Sequence, residues 1–374
     1  MLGSGNVYKY LDMIQGKFWS LKKCLTYNRP VIVVTGTRSI GKSTGVACFC
    51  LLDFIINKHK FMYVRRRQGV TRKTCKSFFA NAVQIINNKT PFNILGFKFY
   101  NGKYYIAMDK IPAEREGDED ELNWIECGMA APLSQEEELK SGVYSDYFTI
   151  IYDEFISKDR NAYLGTKENP EFEWESLVSL YQTVDRGIEH PFRNEVRLIL
   201  LGNKATVYNP VMLTLGIADY VVEGAKFTAP KSAIWVWEDV DRVEAIDEVE
   251  QSFAYQMSTE AVRRYAYENK GNDRSDFIKK PDIATYMVTV KLKGVEYGIY
   301  RDVDFNFYID KPKEGYAVIS LDVDSHNGSD VYMIKRWHES PTLEAVSAAY
   351  QRGCVFFGNG KIQNAFLKYL EFTK

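Results

Sequence analysis

The feature that most constrains this chain is the octet from Gly36 to Ser43, which reads GTRSIGKS. It fits the pattern G-x-x-x-x-G-K-[ST] at every fixed position. Four β-branched residues, 31–34, precede it and an apolar run follows, so the octet joins a predicted buried strand to a predicted helix. Phosphate-binding loops require that context. The octet predicts a nucleotide site, since an ordinary glycine-rich turn does not explain Lys42 and Ser43 together.

The loop is expected to hold a nucleoside triphosphate with its main chain and two side chains. Gly36 and Gly41 allow the tight turn that brings N–H groups against phosphate oxygens. Lys42 can reach the β- and γ-phosphates, and Ser43 can offer its hydroxyl to magnesium. The predicted cofactors are therefore ATP and Mg²⁺, and the cofactor-binding set is Gly36, Thr37, Arg38, Ser39, Ile40, Gly41, Lys42, Ser43, Thr44 and Asn203.

A second strand-end pattern provides acidic residues. The apolar run 148–152 is followed by Asp153 and Glu154, and ligands collect at the carboxyl ends of strands in α/β folds. Asp153 is expected to hold magnesium, and Glu154 to orient or deprotonate an attacking water. Alone, the pattern also fits a strand leaving the core for solvent. The phosphate loop earlier in the chain favours the catalytic interpretation, and a Glu after the Asp favours hydrolysis.

A third predicted strand, 196–201, ends in Gly202 and Asn203. If this strand lies next to the one bearing Asp153, Asn203 can sense the γ-phosphate or the attacking water. The alternative is a turn residue that follows a glycine.

Composition limits the remaining possibilities. A chain of 374 residues suggests two domains, possibly three. The formal net charge of −1 means that any contact with nucleic acid must come from local patches. No apolar run reaches transmembrane length, and no secretory segment is evident, so neither a membrane nor export is expected. The six cysteines show no zinc spacing and are expected to be reduced thiols in a cytoplasmic protein.

The densest basic cluster follows the predicted strand 61–64. It can contact the phosphates of a polynucleotide backbone without reading bases, or it can be a solvated surface, and the residues alone do not decide between the two. Its members are Arg65, Arg66, Arg67, Arg72, Lys73 and Lys76, of which Arg66, Arg67, Arg72 and Lys73 are the DNA-binding candidates.

The rest of the chain gives coarser expectations. Asn101-Gly102 predicts a hairpin within 96–111, and the acidic run 114–121 predicts a solvated loop. Residues 240–269 are expected to be helical and rich in charge. From residue 281 a β meander followed by helices predicts an α+β domain.

Taken in order, these motifs resemble the DNA-packaging ATPases of phi29-like tailed phages, which are related to large terminase subunits. The resemblance is carried by the phosphate loop with its internal Arg38, by Tyr63-Val-Arg-Arg66, by Ile151-Tyr-Asp-Glu-Phe155, by Thr183-Val-x-Arg186, and by Asn203 with Asn209-Pro210. It is strong to about residue 215 and weaker from about 281.

The resemblance implies a ring-forming motor, expected to be a pentamer, that docks on a capsid portal and drives double-stranded DNA into the head. Arg38 would sense or stabilise the γ-phosphate. Arg186 would act as an arginine finger in a neighbouring subunit's site, and Arg193 and Arg197 are its rivals. A structural packaging RNA is neither required nor excluded. The protein would work in the host cytoplasm, transiently at the procapsid portal vertex.

The fold class implied is α/β. A P-loop NTPase domain of the ASCE type, with a mostly parallel sheet, would occupy 1–215. A helical linker or lid would span 216–280, and a small α+β RNase H-like domain 281–374. The opening strand of that last domain, 286–291, lacks an acid, so we expect a vestigial nuclease.

Two other functions are weighed against the motor. A terminase-like nuclease would need metal-binding carboxylates in the last domain, with Asp302 and Asp322 as candidates. A self-contained NTPase of other DNA transactions, or a nucleotide-binding scaffold without turnover, would need no ring. Glu154 argues against the scaffold, which has no use for a poised carboxylate.

Overall fold

A computed structural model describes most of the chain as two compact units. The units are Met1–Leu215 with Ala225–Asn272, and Gly216–Gly224 with Asp273–Lys374. The described residues are 5–14, 16, 18–68, 75, 77–112, 121–157, 163–164, 172–186, 193–203, 209–222, 225–240, 251–258, 280–292, 295–320, 331–333, 340–351, 354–358, 362–363 and 366.

The helices are, in chain order, α1 (Gly5–Ile14), α2 (Lys22–Leu25), α3 (Lys42–Asn57), α4 (Ala80–Lys89), α5 (Glu136–Leu139, after a 3₁₀ turn at Leu133–Gln135), α6 (Phe172–Val184), α7 (Pro210–Thr214), α8 (Ile217–Val222), α9 (Phe253–Gln256) and α10 (Pro341–Gln351). The strands of the first unit are β1 (Val31–Gly36), β2 (Lys60–Arg65), β3 (Gly96–Tyr100), β4 (Lys103–Ile111), β5 (Glu121–Pro132), β6 (Tyr147–Asp153), β7 (Arg197–Asn203), β8 (Phe227–Thr228) and β9 (Trp235–Val240). Those of the second are β10 (Thr285–Leu292), β11 (Val295–Arg301), β12 (Phe307–Asp310), β13 (Val318–Ser320), β14 (Val331–Met333) and β15 (Val355–Phe357).

The first unit is built on a nine-stranded sheet in the order β3-β4-β5-β2-β6-β7-β1-β9-β8. The six strands from β5 to β9 in this order are parallel, and β3, β4 and β8 are antiparallel additions at its two edges. Every residue of β1 is buried, as expected for a parallel strand covered on both faces. All six parallel strands therefore end at one edge, where the phosphate loop begins.

Helix α3 fixes the loop to the core. Eleven of its residues are buried, because its sequence is apolar on nearly every side and α1 and α4 pack against it. A helix buried all round has little freedom to shift. The phosphate loop is thus held between β1 and a helix that is itself part of the core.

The predicted hairpin is confirmed. Tyr100 pairs with Lys103 across a two-residue loop. Asn101 and Gly102 have φ of 48° and 77°, the left-handed values that a type I′ turn requires at both central positions. This hairpin forms one edge of the first sheet.

The second unit carries a six-stranded sheet in the order β14-β13-β10-β11-β12-β15. Strands β10, β11 and β12 form an antiparallel meander, and β10 pairs in parallel with β13, which pairs in parallel with β14. The meander followed by a helix matches the α+β pattern predicted from residue 281. Helix α10 contributes Leu343, Val346 and Ala349 to its core.

Several expectations meet the described residues only in part. The acidic loop and most of 240–269 lie outside them, apart from Glu121 in β5 and the short α9. The predicted linker spans 216–280, and residues 227–228 and 235–240 of it form two strands of the first sheet. All six cysteines are free thiols. No helix in the described ranges has the length and hydropathy needed to cross a bilayer.

Candidate nucleotide-hydrolysis site

The phosphate loop, Asp153 and Asn203 meet at the carboxyl edge of the first sheet. Strands β6, β7 and β1 are neighbours, and they end in Asp153, in Asn203 and in the phosphate loop. In register, Gly36 lies opposite Asn203, and Asp153 lies opposite Leu201. Three segments far apart in the sequence therefore meet at one place, as predicted from the motifs.

The phosphate loop owes its shape to two glycines. Gly36 has φ 152° and Gly41 has φ 89°, values that residues with a side chain rarely adopt. A methyl group on Gly36 would also overlap the carbonyl oxygen of Val240, the last residue of β9. The N–H of Thr37 donates to that same carbonyl at 3.4 Å, so β9 supports the start of the loop.

Lys42 lies inside the loop it belongs to. Its ammonium donates to the carbonyl oxygens of Gly36 (3.0 Å) and Thr37, and to Oδ1 of Asn203 at 3.2 Å. Burial lowers the pKa of Lys42 to about 8, and the nearby Arg38 acts in the same direction. Asn203, the predicted sensor of the γ-phosphate, is thus in direct contact with the lysine of the phosphate loop.

Asp153 and Glu154 differ sharply in environment. The Asp153 side chain is 12% exposed and that of Glu154 is 59% exposed. Burial raises the pKa of Asp153 above its ordinary value, although Arg65 and Tyr63 oppose the shift. Glu154 has φ 58°, which is strained for a glutamate. The main chain turns abruptly at Glu154, so one carboxylate is buried and the next is exposed.

Two residues of β2 hold these carboxylates, and the sequence reading did not assign them to the site. Tyr63 donates its hydroxyl to Oδ2 of Asp153 at 2.9 Å. Arg65 donates Nη1 to the same oxygen at 3.1 Å and Nη2 to Oε2 of Glu154. Arg65 was grouped with the basic cluster, because only the adjacency of β2 and β6 reveals its partners.

A further carboxylate, Asp239, lies on the other side of β1 and was also missed. It is 4% exposed and accepts a 2.7 Å hydrogen bond from Thr35, the residue before the loop. Thr35 in turn accepts from Nε1 of Trp237 at 3.1 Å, and Lys226 pairs with Asp239 at 3.4 Å. The run Trp-Val-Trp-Glu-Asp at the end of β9 is the sequence pattern that could have pointed to it.

The donor set fits a magnesium ion. Mg²⁺ prefers oxygen ligands and is usually held by one or two protein groups together with phosphates. The hydroxyl of Ser43 is half-buried at the start of α3, and Asp153 supplies a carboxylate at the end of β6. The hydroxyl of Thr37 is buried without a hydrogen-bond partner, so the loop also holds a polar atom that a ligand would satisfy. The neighbouring Arg38 is exposed.

Arg186 lies away from this edge. It follows α6, whose Tyr181 donates to the carbonyl of Val196 at the start of β7, and its own Nη1 donates to the carbonyl of Lys140 at 2.9 Å. The seven residues of β6 span about 20 Å, and Arg186 is at the opposite end from Asp153. It is exposed, and it does not take part in the cluster formed by the phosphate loop, Asp153 and Asn203.

Neither of the two rival arginines has an exposed side chain. Arg193 donates to main-chain carbonyls of Ser145 (2.6 Å), Tyr147 (2.8 Å) and Val184 (2.8 Å). Arg197 is 5% exposed. Of the three candidates for an arginine finger, Arg186 is the one with an exposed side chain.

The basic cluster divides in the structure. Arg66 donates to both carboxylate oxygens of Glu173 (2.7 and 3.0 Å) and to the carbonyl of Phe155 at 2.7 Å. Glu173 is fully buried and also accepts from Tyr152 at 2.7 Å. This internal ion pair speaks against Arg66 as a ligand of DNA phosphates. Arg67 is exposed, while Arg72 and Lys73 lie outside the described residues.

The chain is similar to known phage proteins over most of its length. The model of the podovirus DNA encapsidation protein (Gp16) family matches residues 13–374. The DNA packaging protein of Bacillus phage phi29 is 25% identical over 360 residues, which are 94% of this chain and 96% of that protein.

Two solved structures share the fold over nearly the whole chain. The bacteriophage phi29 viral genome packaging motor assembly matches with a TM-score of 0.61 at 22% identity, over 96% of this chain and all of that one. The phi28 gp11 DNA packaging motor matches with a TM-score of 0.59 at 17% identity, over 96% and 99% of the two chains.

Proposed function

The chain belongs to the podovirus DNA encapsidation protein (Gp16) family, and we propose on that premise that it is an ATP-hydrolysing motor. It packages viral DNA, and as a motor it would drive double-stranded DNA into a preformed capsid from a ring docked on the portal. The ring would be a pentamer of this chain. A packaging RNA is a further possible partner, and the place of action would be the host cytoplasm, transiently at the procapsid portal vertex.

One observation carries the proposal: the ammonium of Lys42 contacts Asn203 while Asp153 and Glu154 end the adjacent strand. The groups proposed for hydrolysis, apart from Arg186, therefore lie at one edge of the first sheet. Lys42 and the loop N–H groups would bind the phosphates. Ser43 and Asp153 would hold magnesium, which supplies charge neutralisation on the phosphates when bound.

The remaining roles follow from exposure and position. Glu154 would orient and deprotonate the attacking water, since its carboxylate is the more exposed of the pair. Asn203 would sense the γ-phosphate. Arg186 would enter a neighbouring subunit's site as an arginine finger, and Arg38 would stabilise the γ-phosphate from within the loop.

DNA contact is proposed for Arg67, Arg72 and Lys73 and withdrawn from Arg66, whose guanidinium pairs with buried Glu173. Contacts of this kind neutralise phosphates, so binding should weaken with salt and tolerate any sequence.

The structure does not favour a metal-binding role for Asp302, the nuclease candidate that lies among the described residues. The carboxylate of Asp302 accepts hydrogen bonds from the main chain of Asp304 and from both nitrogens of Asn306, so its own hairpin engages both its oxygens. Asp322 lies outside the described residues. We therefore propose that the second unit is nuclease-inactive.

The decisive test is ATP hydrolysis measured against protein concentration, with and without linear double-stranded DNA. For the wild type we expect the rate per subunit to rise with both variables. Arg186→Ala should abolish the rise, since an arginine finger contributes roughly 10³–10⁵ in rate. Lys110→Ala, which removes an exposed lysine of the edge hairpin, is the matched control. A rate that ignores concentration, DNA and Arg186 would indicate a self-contained NTPase and contradict the ring motor.

A further inference from the structure

A short aromatic segment, Phe18-Trp19, packs beside the phosphate loop. The N–H of Trp19 donates to the carbonyl of Ile40 within the loop at 3.0 Å. The indole Nε1 donates to Oε2 of Glu238 on β9 at 2.9 Å, and Trp19 is only 8% exposed. The segment is therefore anchored to the loop on one side and to the sheet on the other.

The first turn of α3 accepts this segment through two glycines. A methyl group on Gly41 would lie 2.9 Å from Cβ and 3.4 Å from Cγ of Phe18. A methyl group on Gly45 would lie 3.2 Å from the carbonyl oxygen and 3.4 Å from the ring of Trp19. The shorter distance at each glycine, 2.9 Å at Gly41 and 3.2 Å at Gly45, is tighter than ordinary van der Waals contact. The absence of side chains at these two positions therefore lets Phe18 and Trp19 approach the helix.

Phe18 differs from Trp19 in that its side chain remains 48% exposed. An aromatic ring that packs against a loop glycine yet keeps half its surface in solvent gains little from burial. Its main chain is nonetheless held beside the loop, because Trp19 at the next position donates to Ile40 and to Glu238. A ring carried by an anchored main chain can receive a flat ligand at a reduced cost in conformational entropy.

The proposed nucleotide brings a flat group to this place. The loop N–H groups and the N-terminus of α3 hold the phosphates, so the nucleoside leaves the loop from the same end of the helix. Gly41 directly precedes Lys42, and Phe18 is in contact with Gly41. An exposed aromatic side chain thus lies within a nucleoside's reach of the phosphates.

We propose that Phe18 is the stacking surface for the base of the bound nucleoside triphosphate. This inference rests on the proposed ATPase function and extends it to the nucleoside. Every base has a π-face, so stacking tolerates any base and favours the larger purines. Phe18 would therefore set affinity for the nucleoside and leave the chemistry at the phosphates unchanged.

The test compares hydrolysis of ATP and GTP by wild type, Phe18→Ala and Phe18→Trp. We expect Phe18→Ala to raise KM for both nucleotides about tenfold with kcat unchanged, in line with measured losses of base–aromatic stacking. Phe18→Trp should restore KM. Tyr100→Ala is the matched control, because it removes an aromatic side chain that is 70% exposed on the distant β3–β4 hairpin; its KM should equal that of wild type.

Inorganic tripolyphosphate separates stacking from packing, because it fills the phosphate loop and has no base. Its inhibition constant should be the same for wild type and Phe18→Ala. If tripolyphosphate weakens as much as ATP does, Phe18 acts only by supporting Gly41 and the inference is wrong. An unchanged KM in Phe18→Ala would also overturn it. A wild type that binds ATP without hydrolysing it would contradict the proposed function instead, and the same comparison is then made on dissociation constants.

Discussion

Asp153 and Asp302 look alike in the sequence and behave as opposites in the two units. Each comes at or directly after the end of a strand. The side-chain partners of Asp153, Tyr63 and Arg65, come from a neighbouring strand 90 and 88 residues away. Those of Asp302 lie within six residues. An acidic residue at the end of a strand can belong to a site when side chains from distant segments contact it. When its own loop supplies the contacts, it stabilises the turn instead.

The electrostatics follow the same division. Burial raises the pKa of Asp153, so the fold favours its neutral form and holds the charged form against a desolvation penalty. Burial acts to raise the pKa of Asp302, but hydrogen bonds from Asn306, Tyr308 and Asp304 together outweigh it and lower that pKa. Carboxylates whose charged form is disfavoured by burial are common at functional sites. Carboxylates whose charged form is stabilised by local hydrogen bonds are common in structural turns.

The largest expected difference between the two units is in how a substitution in each changes the rate of ATP hydrolysis. Glu154→Gln keeps the size of the side chain and removes the base, so we expect the rate to fall roughly 10²–10⁴-fold while ATP still binds. Asp302→Asn, the corresponding change in the second unit, should leave the rate unaltered. Steady-state ATPase and equilibrium ATP binding measure both. A rate that falls with Asp302→Asn and survives Glu154→Gln would reverse the comparison.

A smaller effect concerns the charge of the loop lysine. Because burial lowers the pKa of Lys42 to about 8, the free site loses this cation above that pH, and bound phosphates favour its protonated form. Affinity for ATP should therefore weaken about tenfold between pH 7.5 and pH 9 by linkage. A fluorescent nucleotide titrated across this range measures the effect. Affinity that stays constant to pH 9 would mean that the ammonium keeps its ordinary pKa.

Arg65 offers a test of the Asp153 pair. Its guanidinium is the strongest influence opposing the upward shift of the Asp153 pKa. Arg65→Gln should raise that pKa further and move the acidic limb of the pH–rate profile to higher pH. Lys110→Gln, which removes an exposed cation elsewhere, should not move it. Thermal unfolding of each variant confirms that the chain still folds, and an unmoved limb in folded Arg65→Gln would show that Asp153 is not the titrating group.

The smallest expected effect is on stability. Asp302→Asn removes acceptors for Asn306 and Tyr308, which should lower the free energy of unfolding by about 1 kcal/mol at pH 7. A lowered folded pKa means that this stability is present above the unfolded value, about 3.9, and is lost as pH falls through the folded value. The gap between variant and wild type should therefore shrink on acidification. Thermal unfolding of the full chain at several pH values checks it, and a gap that widens instead would refute the assignment.

The sequence predicts well wherever a local rule decides the structure. Local sequence alone determines the structure of three segments: the octet, the apolar strand 148–152 and the Asn101-Gly102 turn. It fails for Arg65 and Arg66, which look like one basic cluster. The partner of Arg66, Glu173, is 107 residues away in the sequence. The partners of Arg65 are set by the strand order, which places β2 beside β6. The sequence of the basic cluster contains no sign of either contact.

Asp239 shows the same limit on the other side of the loop. The run 235–239 indicates a strand ending in acids, yet its neighbour could have been any parallel strand. That neighbour is β1, in register Thr35 to Asp239. The contact between Thr35 and Asp239 follows from this pairing alone, and no spacing within the sequence encodes it.

The carbonyl of Val240 that closes on Gly36 has a mechanical consequence. It accepts from Thr37 and leaves no room for a side chain at Gly36, so the loop and the end of β9 form a stiff link. A displacement of the loop must either break that hydrogen bond or carry Val240 with it. Val240 is the last residue of β9, so the end of this strand and the start of the phosphate loop are one hydrogen bond apart and would have to move together.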